Sequence, residues 1–341
     1  MYRNSLVQEY HNFDSQFILL ANQSSSQFPK LLIYLLTKQN IMNLFTYQSQ
    51  YNQNTNENHL FLPSFLLRIY LILYLFLYLS ENDIGDFGAK DLGTAIAQYK
   101  NITTLTLELY WNKIGQKGAY YLGTGIAQCK NITTLTLNLD WNHIGAIGTQ
   151  ELVTSIAQCM NITILRLNLS WNYIGDYGVK YLATVIAQFM KVITLTLNLE
   201  NNKIGAIGVK HFVTEIAQCN TITTMELALG ENDIGDEGAK HLGTLITQQN
   251  NISTLTLDLY SNYIGDEGAI DLGTGIAQCK NITVLKLNLD WNIIGAIGAK
   301  DLITGIAQCN NITTLKFVLG YNSIREKRAK NQDQVKIWPF N

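Results

Sequence analysis

NITTLTLELYWNKIGQKGAYYLGTGIAQCK, residues 101–130, contains every element of the architecture once. Leu105, Leu107 and Leu109 alternate with Thr106 and Glu108, a period of two that predicts a strand with one apolar face. Gly115 and Gly118 follow, suited to a tight turn that needs positive φ or close backbone approach. A short helical stretch comes next, as at Ala89, Leu92 and Ile96 one unit earlier, where the apolar spacing fits one helix face. The order then begins again. Blocks starting at Glu81, Trp111, Trp141, Trp171, Asn201, Glu231, Ser261 and Trp291 superimpose at a period of 30 residues without a gap.

A strand, a turn and a helix repeated in this way require successive strands to pair in parallel, with each unit resting on its neighbours. The second residue of every block is Asn, from Asn82 to Asn292, and the series continues to Asn322. An amide at a fixed place in a buried turn can satisfy backbone groups on both sides and form a polar ladder. Thr94, Thr124, Thr154, Thr184, Thr214, Thr244, Thr274 and Thr304 recur in the helices, where a hydroxyl can bond back to the preceding turn's carbonyl.

The segment LYWNKIGQKGAYYLGTGIAQ (Leu109–Gln128) resembles the ribonuclease-inhibitor class of leucine-rich repeats, which also occurs in NOD-like receptors and in the Ran GTPase-activating protein. The resemblance covers roughly residues 75–324. It implies an α/β leucine-rich-repeat solenoid, a curved horseshoe with parallel strands on the concave face and helices on the convex face. Counted from Ile102, Asn112 stands two residues later than the class pattern places it, which lengthens the period. The expected organisation is an irregular, partly capping N-terminal segment (1–50), a degenerate first repeat (51–80), eight 30-residue repeats (81–320) and a C-terminal partial repeat or cap (321–341).

Two features at the ends need separate readings. Leu60–Leu79 is almost wholly apolar and long enough for a membrane helix. It carries Pro63 and Arg68, however, and Leu75, Leu77, Leu79 and Asn82 fall in register with Leu105, Leu107, Leu109 and Asn112. A degenerate capping repeat is therefore expected, with a membrane-tethered receptor-like protein as the alternative. At the other end Arg325 and Arg328 replace the two glycines, so a charged terminal helix is expected to close the core.

Composition narrows the function. The chain has 341 residues, 47% of them hydrophobic, and a net charge of −2, which gives no global footprint of a nucleic-acid binder. All five cysteines (Cys129, Cys159, Cys219, Cys279 and Cys309) share one repeat position with Tyr99, Phe189 and Gln249, a core-filling site for free thiols. Free thiols in odd number, and a start without the basic-then-apolar order of a secretory signal, point to the cytoplasm, with membrane association as the alternative. Asn101, Asn131, Asn161, Asn251, Asn281 and Asn311 open Asn-Ile-Thr or Asn-Ile-Ser triplets, whose recurrence follows from the repeat itself.

Residues between the strand leucines point to the concave face, where this fold binds ligands. One column there contains Tyr110, Asp140, Glu200, Tyr260 and Asp290, and another contains Arg166. A column at the strand ends carries Trp111, Trp141, Trp171, Trp291 and Tyr321. Successive strands stand ~4.8 Å apart, so the neighbouring indoles can stack. Exposed Trp and Tyr beside carboxylates suit a protein partner, since these residues dominate interface hot spots. No metal spacing, phosphate loop or G-x-S-x-G nucleophile motif occurs, so no catalytic residue, metal or cofactor is expected. The expected function is a non-catalytic protein-interaction scaffold. The Ran-type GTPase-activating alternative would rest on Arg166 as the arginine presented to a nucleotide.

Overall fold

The computed structural model describes residues 74–324 apart from 250 and 280. Nine strands are present among these residues: β1 (Tyr74–Tyr78), β2 (Thr104–Glu108), β3 (Thr134–Asn138), β4 (Ile164–Asn168), β5 (Thr194–Asn198), β6 (Thr224–Ala228), β7 (Thr254–Asp258), β8 (Val284–Asn288) and β9 (Thr314–Val318). Between them lie α1 (Gly85–Ile96), α2 (Gln116–Ile126), α3 (Gly145–Ile156), α4 (Gly175–Ile186), α5 (Ala206–Ile216), α6 (Gly235–Gln248), α7 (Asp266–Gln278) and α8 (Ala296–Gln308). The strands form one sheet in chain order, β1 to β9, every neighbour pair parallel. Each residue stands opposite the one 30 positions later, as Leu105 does to Leu135 and Leu135 to Leu165.

The strand leucines and the inward helix residues fill one continuous core. Leu105, Leu107, Leu109, Leu92 and Ile96 are each buried in it, and so are their equivalents through Leu289 and Ile306. All five cysteines are free and buried in the same layer. Cys129 Sγ lies 3.4 Å from the Ile96 carbonyl and Cys159 Sγ 3.4 Å from that of Ile126. Gln249, at the equivalent place, donates from Nε2 to the Ile216 carbonyl at 2.8 Å, so amide and thiol serve the same acceptor.

The asparagine ladder takes the expected form. Asn142 Oδ1 accepts the N–H groups of Asn112 and Ile114, while its Nδ2 donates to the carbonyls of Leu109, Leu139 and Asp140. One side chain thereby joins the turns of two consecutive units. The helical threonines also bond back, Thr124 Oγ1 to the Tyr120 carbonyl at 2.8 Å and Thr304 Oγ1 to that of Lys300 at 2.8 Å.

Helices of 11 to 14 residues are longer than the ten-residue stretch expected from the apolar spacing. The difference lies at their starts, where the second glycine sits inside the first turn and the first glycine opens it. A glycine there lets neighbouring helices approach backbone to backbone. Leu75 pairs with Leu105 and Leu77 with Leu107 across β1 and β2. The rest of the expected 51–80 repeat, the 1–50 segment, and the terminal arginines lie outside the described residues. Among the described residues no helix is long and apolar enough to cross a membrane.

Candidate functional site

Beyond each strand the chain makes a turn whose first residue is held in the left-handed region. Trp111 has φ +53°, Trp141 +51°, Trp171 +54°, Trp291 +57° and Tyr321 +49°, and Glu81, Asn201, Glu231 and Ser261 share the conformation. The cause is the ladder on either side. Trp111 N–H donates to the Asp140 carbonyl at 2.9 Å, and the following Asn112 is fixed by its buried amide. The fold thus imposes a strained backbone at this column whatever residue occupies it. For a residue bearing Cβ the strain costs about 1–2 kcal/mol, and Asn tolerates it best.

The indoles leave this turn outward and stack on one another. Trp111 and Trp141 have ring centroids 5.8 Å apart at an interplanar angle of 26°, and Trp141 and Trp171 are 4.2 Å apart at 11°. Trp291 and Tyr321 form a second stack at 4.5 Å and 20°. Trp111, Trp141, Trp291 and Tyr321 remain exposed despite stacking, and Trp171 is half-buried. Between the two stacks the column turns polar, where Asn201 Nδ2 donates to Glu231 Oε2 at 2.7 Å.

Beside the rim lies the column of Tyr110, Asp140, Glu200, Tyr260 and Asp290, each half-exposed. Tyr110 donates its phenol proton to Glu81 Oε1 at 2.6 Å, a bond that pushes its pKa above the ordinary value. Ser170 Oγ lies 2.7 Å from both Asp140 Oδ1 and Asn168 Oδ1. Burial raises the Asp140 carboxyl, and the hydrogen bonds from Ser170 and the Trp141 N–H oppose that shift. Glu200 is also raised, first by burial and then by the charges of Glu231, Asp258 and Asp140. Asp290 caps the next strand end by accepting the Gly320 N–H. Gly230 interrupts the column, and a Cβ there would meet Tyr260 Cδ1 at 3.2 Å and Glu200 Cγ at 3.6 Å, so its two neighbours close over it.

Arg166 is exposed on the strand face between Thr136 and Thr196, apart from the aromatic stacks in its own column. The neighbouring Asn and Asp column has a structural task. Asn138, Asn168, Asn198, Asp258 and Asn288 each accept the N–H two residues on, which ends the strand. Among the described residues no group of three or more His, Cys, Asp or Glu side chains is placed to hold a metal ion.

Two sets of residues escaped the sequence reading. Asp86, Asp176, Asp236 and Asp266 accept hydrogen bonds from N–H groups that open the helix of the following unit. Phe87, Ile147, Tyr177, Ile207 and Ile297 stand exposed at one repeated position on the strand-to-helix edge, with Phe87 87% and Tyr177 72% accessible. Reading every thirtieth residue from Phe87 would have isolated that row.

Comparison with known proteins agrees with this geometry. Four stretches of the chain, residues 131–153, 161–183, 219–243 and 251–273, match the family model described as "Leucine Rich repeat". The fold is a leucine-rich-repeat solenoid. The comparison with curated proteins found no match. Among solved structures the solenoid is similar to "Leiomodin-1 Actin-Binding Site 2 (ABS2)", at 12% identity and a TM-score of 0.35, covering 48% of this chain and 87% of that one. Solenoids of this kind present long surfaces that generally mediate protein–protein interaction.

Proposed function

We propose that the chain is a non-catalytic scaffold of the ribonuclease-inhibitor class that binds a protein in the cytoplasm. The binding surface is the strand face with its aromatic rim: Trp111, Trp141, Trp171, Trp291 and Tyr321, flanked by Tyr110, Tyr260, Asp140, Glu200, Asp290 and Arg166. The observation that carries this reading is exposed tryptophan in a left-handed turn. The strained backbone costs about 1–2 kcal/mol for each residue bearing Cβ. An aromatic pair returns about 0.5–1.5 kcal/mol beyond its area burial. The pair term by itself does not exceed that strain, and Trp111, Trp141, Trp291 and Tyr321 keep much of their apolar area open after stacking, where Asn201 shows a cheaper occupant of the same turn. Partner binding supplies a reason for the aromatics there, because large rigid aromatics anchor interfaces at low entropic cost.

The test is affinity capture with the full chain and with a Trp141→Asn/Trp171→Asn variant, which keeps the turn conformation. Loss of the captured protein with unchanged circular dichroism is expected. Undiminished capture would remove the rim from the binding surface.

A further inference from the structure

The exposed row on the strand-to-helix edge reads Lys117, Ile147, Tyr177, Ile207, Glu237 over five consecutive units, all in the first helical turn. All five side chains are exposed. The row is evenly spaced because the strands beneath it keep a strict 30-residue register. The first turns of α3, α4 and α5 also approach closely. A Cβ at Gly178 would stand 3.1 Å from Ala146 Cα, and one at Gly208 would stand 3.1 Å from Asp176 Cα. Ile147, Tyr177 and Ile207 therefore stand at one place in three closely packed successive units, an exposed apolar row of the kind that marks an interface.

The order of the row identifies what covers it. Reversed about Tyr177, these five positions are complementary to one another, and the match ends one unit further out, where Phe87 would face Glu267. A two-fold axis through Tyr177, perpendicular to the direction in which units stack, sets Ile147 against Ile207 of a second copy. The same axis sets Lys117 against Glu237 of that copy, and each pair occurs twice. The exposed row four positions earlier in each unit matches at its centre and ends, with Lys113 facing Asp233 and Tyr173 facing itself. His143 facing Lys203 departs from this match, and so does Asp83 facing Tyr263 one unit further out. Lys113 is already bridged to Asp83 at 2.7 Å and Lys203 lies over the Tyr173 ring at 5.2 Å, so the main charge pairing falls to Lys117 and Glu237. Glu237 has only loose contacts of its own, 3.8 Å to Lys240 and 3.6 Å to His241.

We infer that the solenoid forms an antiparallel two-fold dimer along this edge, centred on Tyr177, with a second copy of the same chain as the occupant of the apolar strip. A self-complementary patch is what an isologous interface requires. An axis of this orientation maps the edge onto itself in reverse, so the two strand faces look the same way and stay open. The dimer therefore stands independently of the partner reading. A monomer that still captured its partner would overturn the one and leave the other intact.

The experiment is sedimentation of the full chain and three variants, with circular dichroism as the check on folding. Wild type is expected at twice the chain mass. Lys117→Glu creates two like-charge contacts per dimer and weakens association about tenfold or more. Lys117→Glu/Glu237→Lys restores opposite charges and recovers the dimer. Tyr177→Arg places two cations at the axis and gives a monomer. A monomeric wild type overturns the inference, and so does a Lys117→Glu dimer of unchanged strength or a charge-swapped double variant that stays monomeric.

Discussion

Oδ1 of Asp86 accepts the backbone N–H of Gly115 at 2.8 Å, and the same oxygen takes the N–H of Gly118 at 2.8 Å, so a carboxylate in one unit caps the helix of the next. Where an Asp occupies this place, the following glycine is extended, with φ −100° at Gly115, −98° at Gly205, −102° at Gly265 and −89° at Gly295. Where Gln116, Ala146 or Ala206 occupies it, the following Gly145, Gly175 or Gly235 is left-handed, at +65°, +63° and +60°. The carboxylate binds the N–H groups that open the helix and holds the backbone extended. Without it the turn tightens into a conformation that favours glycine.

The two glycine classes therefore respond differently to alanine. Gly235→Ala forces Cβ into the left-handed region and should cost about 1–2 kcal/mol. Gly205→Ala meets nothing nearer than the Asp176 carboxylate at 3.7 Å and keeps an allowed backbone. Loss of unfolded-chain entropy should make it neutral or stabilising by a few tenths of a kcal/mol. Urea unfolding of both variants decides this, and equal destabilisation would refute the distinction.

Removing the cap itself should be visible at a junction with a two-bond carboxylate. Asp236 Oδ1 accepts the N–H groups of Gly265 at 2.6 Å and Gly268 at 3.0 Å. Asp236→Ala should cost about 1 kcal/mol, the usual worth of a helix cap. Amide exchange should quicken at the start of α7 and stay slow at the start of α6. Uniform quickening across both helices would show that the carboxylate acts on the whole solenoid rather than on one cap.

The recurring features were legible because the same residue returns every 30 positions. The asparagine ladder, the threonine back-bonds and the buried thiols could all be read from Asn142, Thr124 and Cys129 with their equivalents. Features that vary between units were not. The Asp86–Gly115 partnership is absent where Gln116 or Ala146 replaces the acid, so averaging the units hides it. The left-handed backbone of Trp141 was invisible because Trp carries no local signal for it; the conformation comes from the buried amides in the turn. Phe87 and Ile147 are apolar by type and carry no local signal that they face solvent. Two helical residues before the inward Ala89 is a rotation of roughly 200°, which turns Phe87 to solvent. The ends were ambiguous for another reason, since Leu60–Leu79 satisfies both a membrane pattern and the repeat register.

Thiol reactivity tests the buried cysteine row. Burial pushes the Cys129 pKa up to about 12 and that of Cys219 to about 11. At pH 8 both remain protonated and out of reach of solvent, so neither is a nucleophile. A disulfide reagent should label the native protein slowly and react with all five cysteines at once in denaturant. Rapid native labelling of Cys129 or Cys219 would contradict the packed core.

Glu200 gives the pH test. Its carboxyl pKa is raised, first by burial and then by Glu231, Asp258 and Asp140. A raised acid binds more protons folded than unfolded, so its contribution to stability falls as pH climbs from its ordinary value through the raised one. At neutral pH the charged group opposes folding, and below its ordinary value that penalty is gone. Glu200→Gln should therefore raise the urea midpoint at pH 7 and raise it less at pH 4. An equal or larger gain at pH 4 would mean that the substitution acts through packing.

The rim itself can be tested without knowing what it binds. Trp141 and Trp171 stack at 4.2 Å and 11°, near enough for their transitions to couple in circular dichroism. Trp171→Asn should abolish that coupling. It should lower the melting temperature only modestly, because the lost stacking of about 0.5–1.5 kcal/mol is partly offset by Asn tolerating the left-handed turn. Trp171→Ala loses the same stack and keeps the backbone strain, so it should be the less stable of the two by about 1 kcal/mol. A large drop in melting temperature with Asn would show that the stack holds the solenoid edge together, and the case for the tryptophans as binding anchors would weaken accordingly.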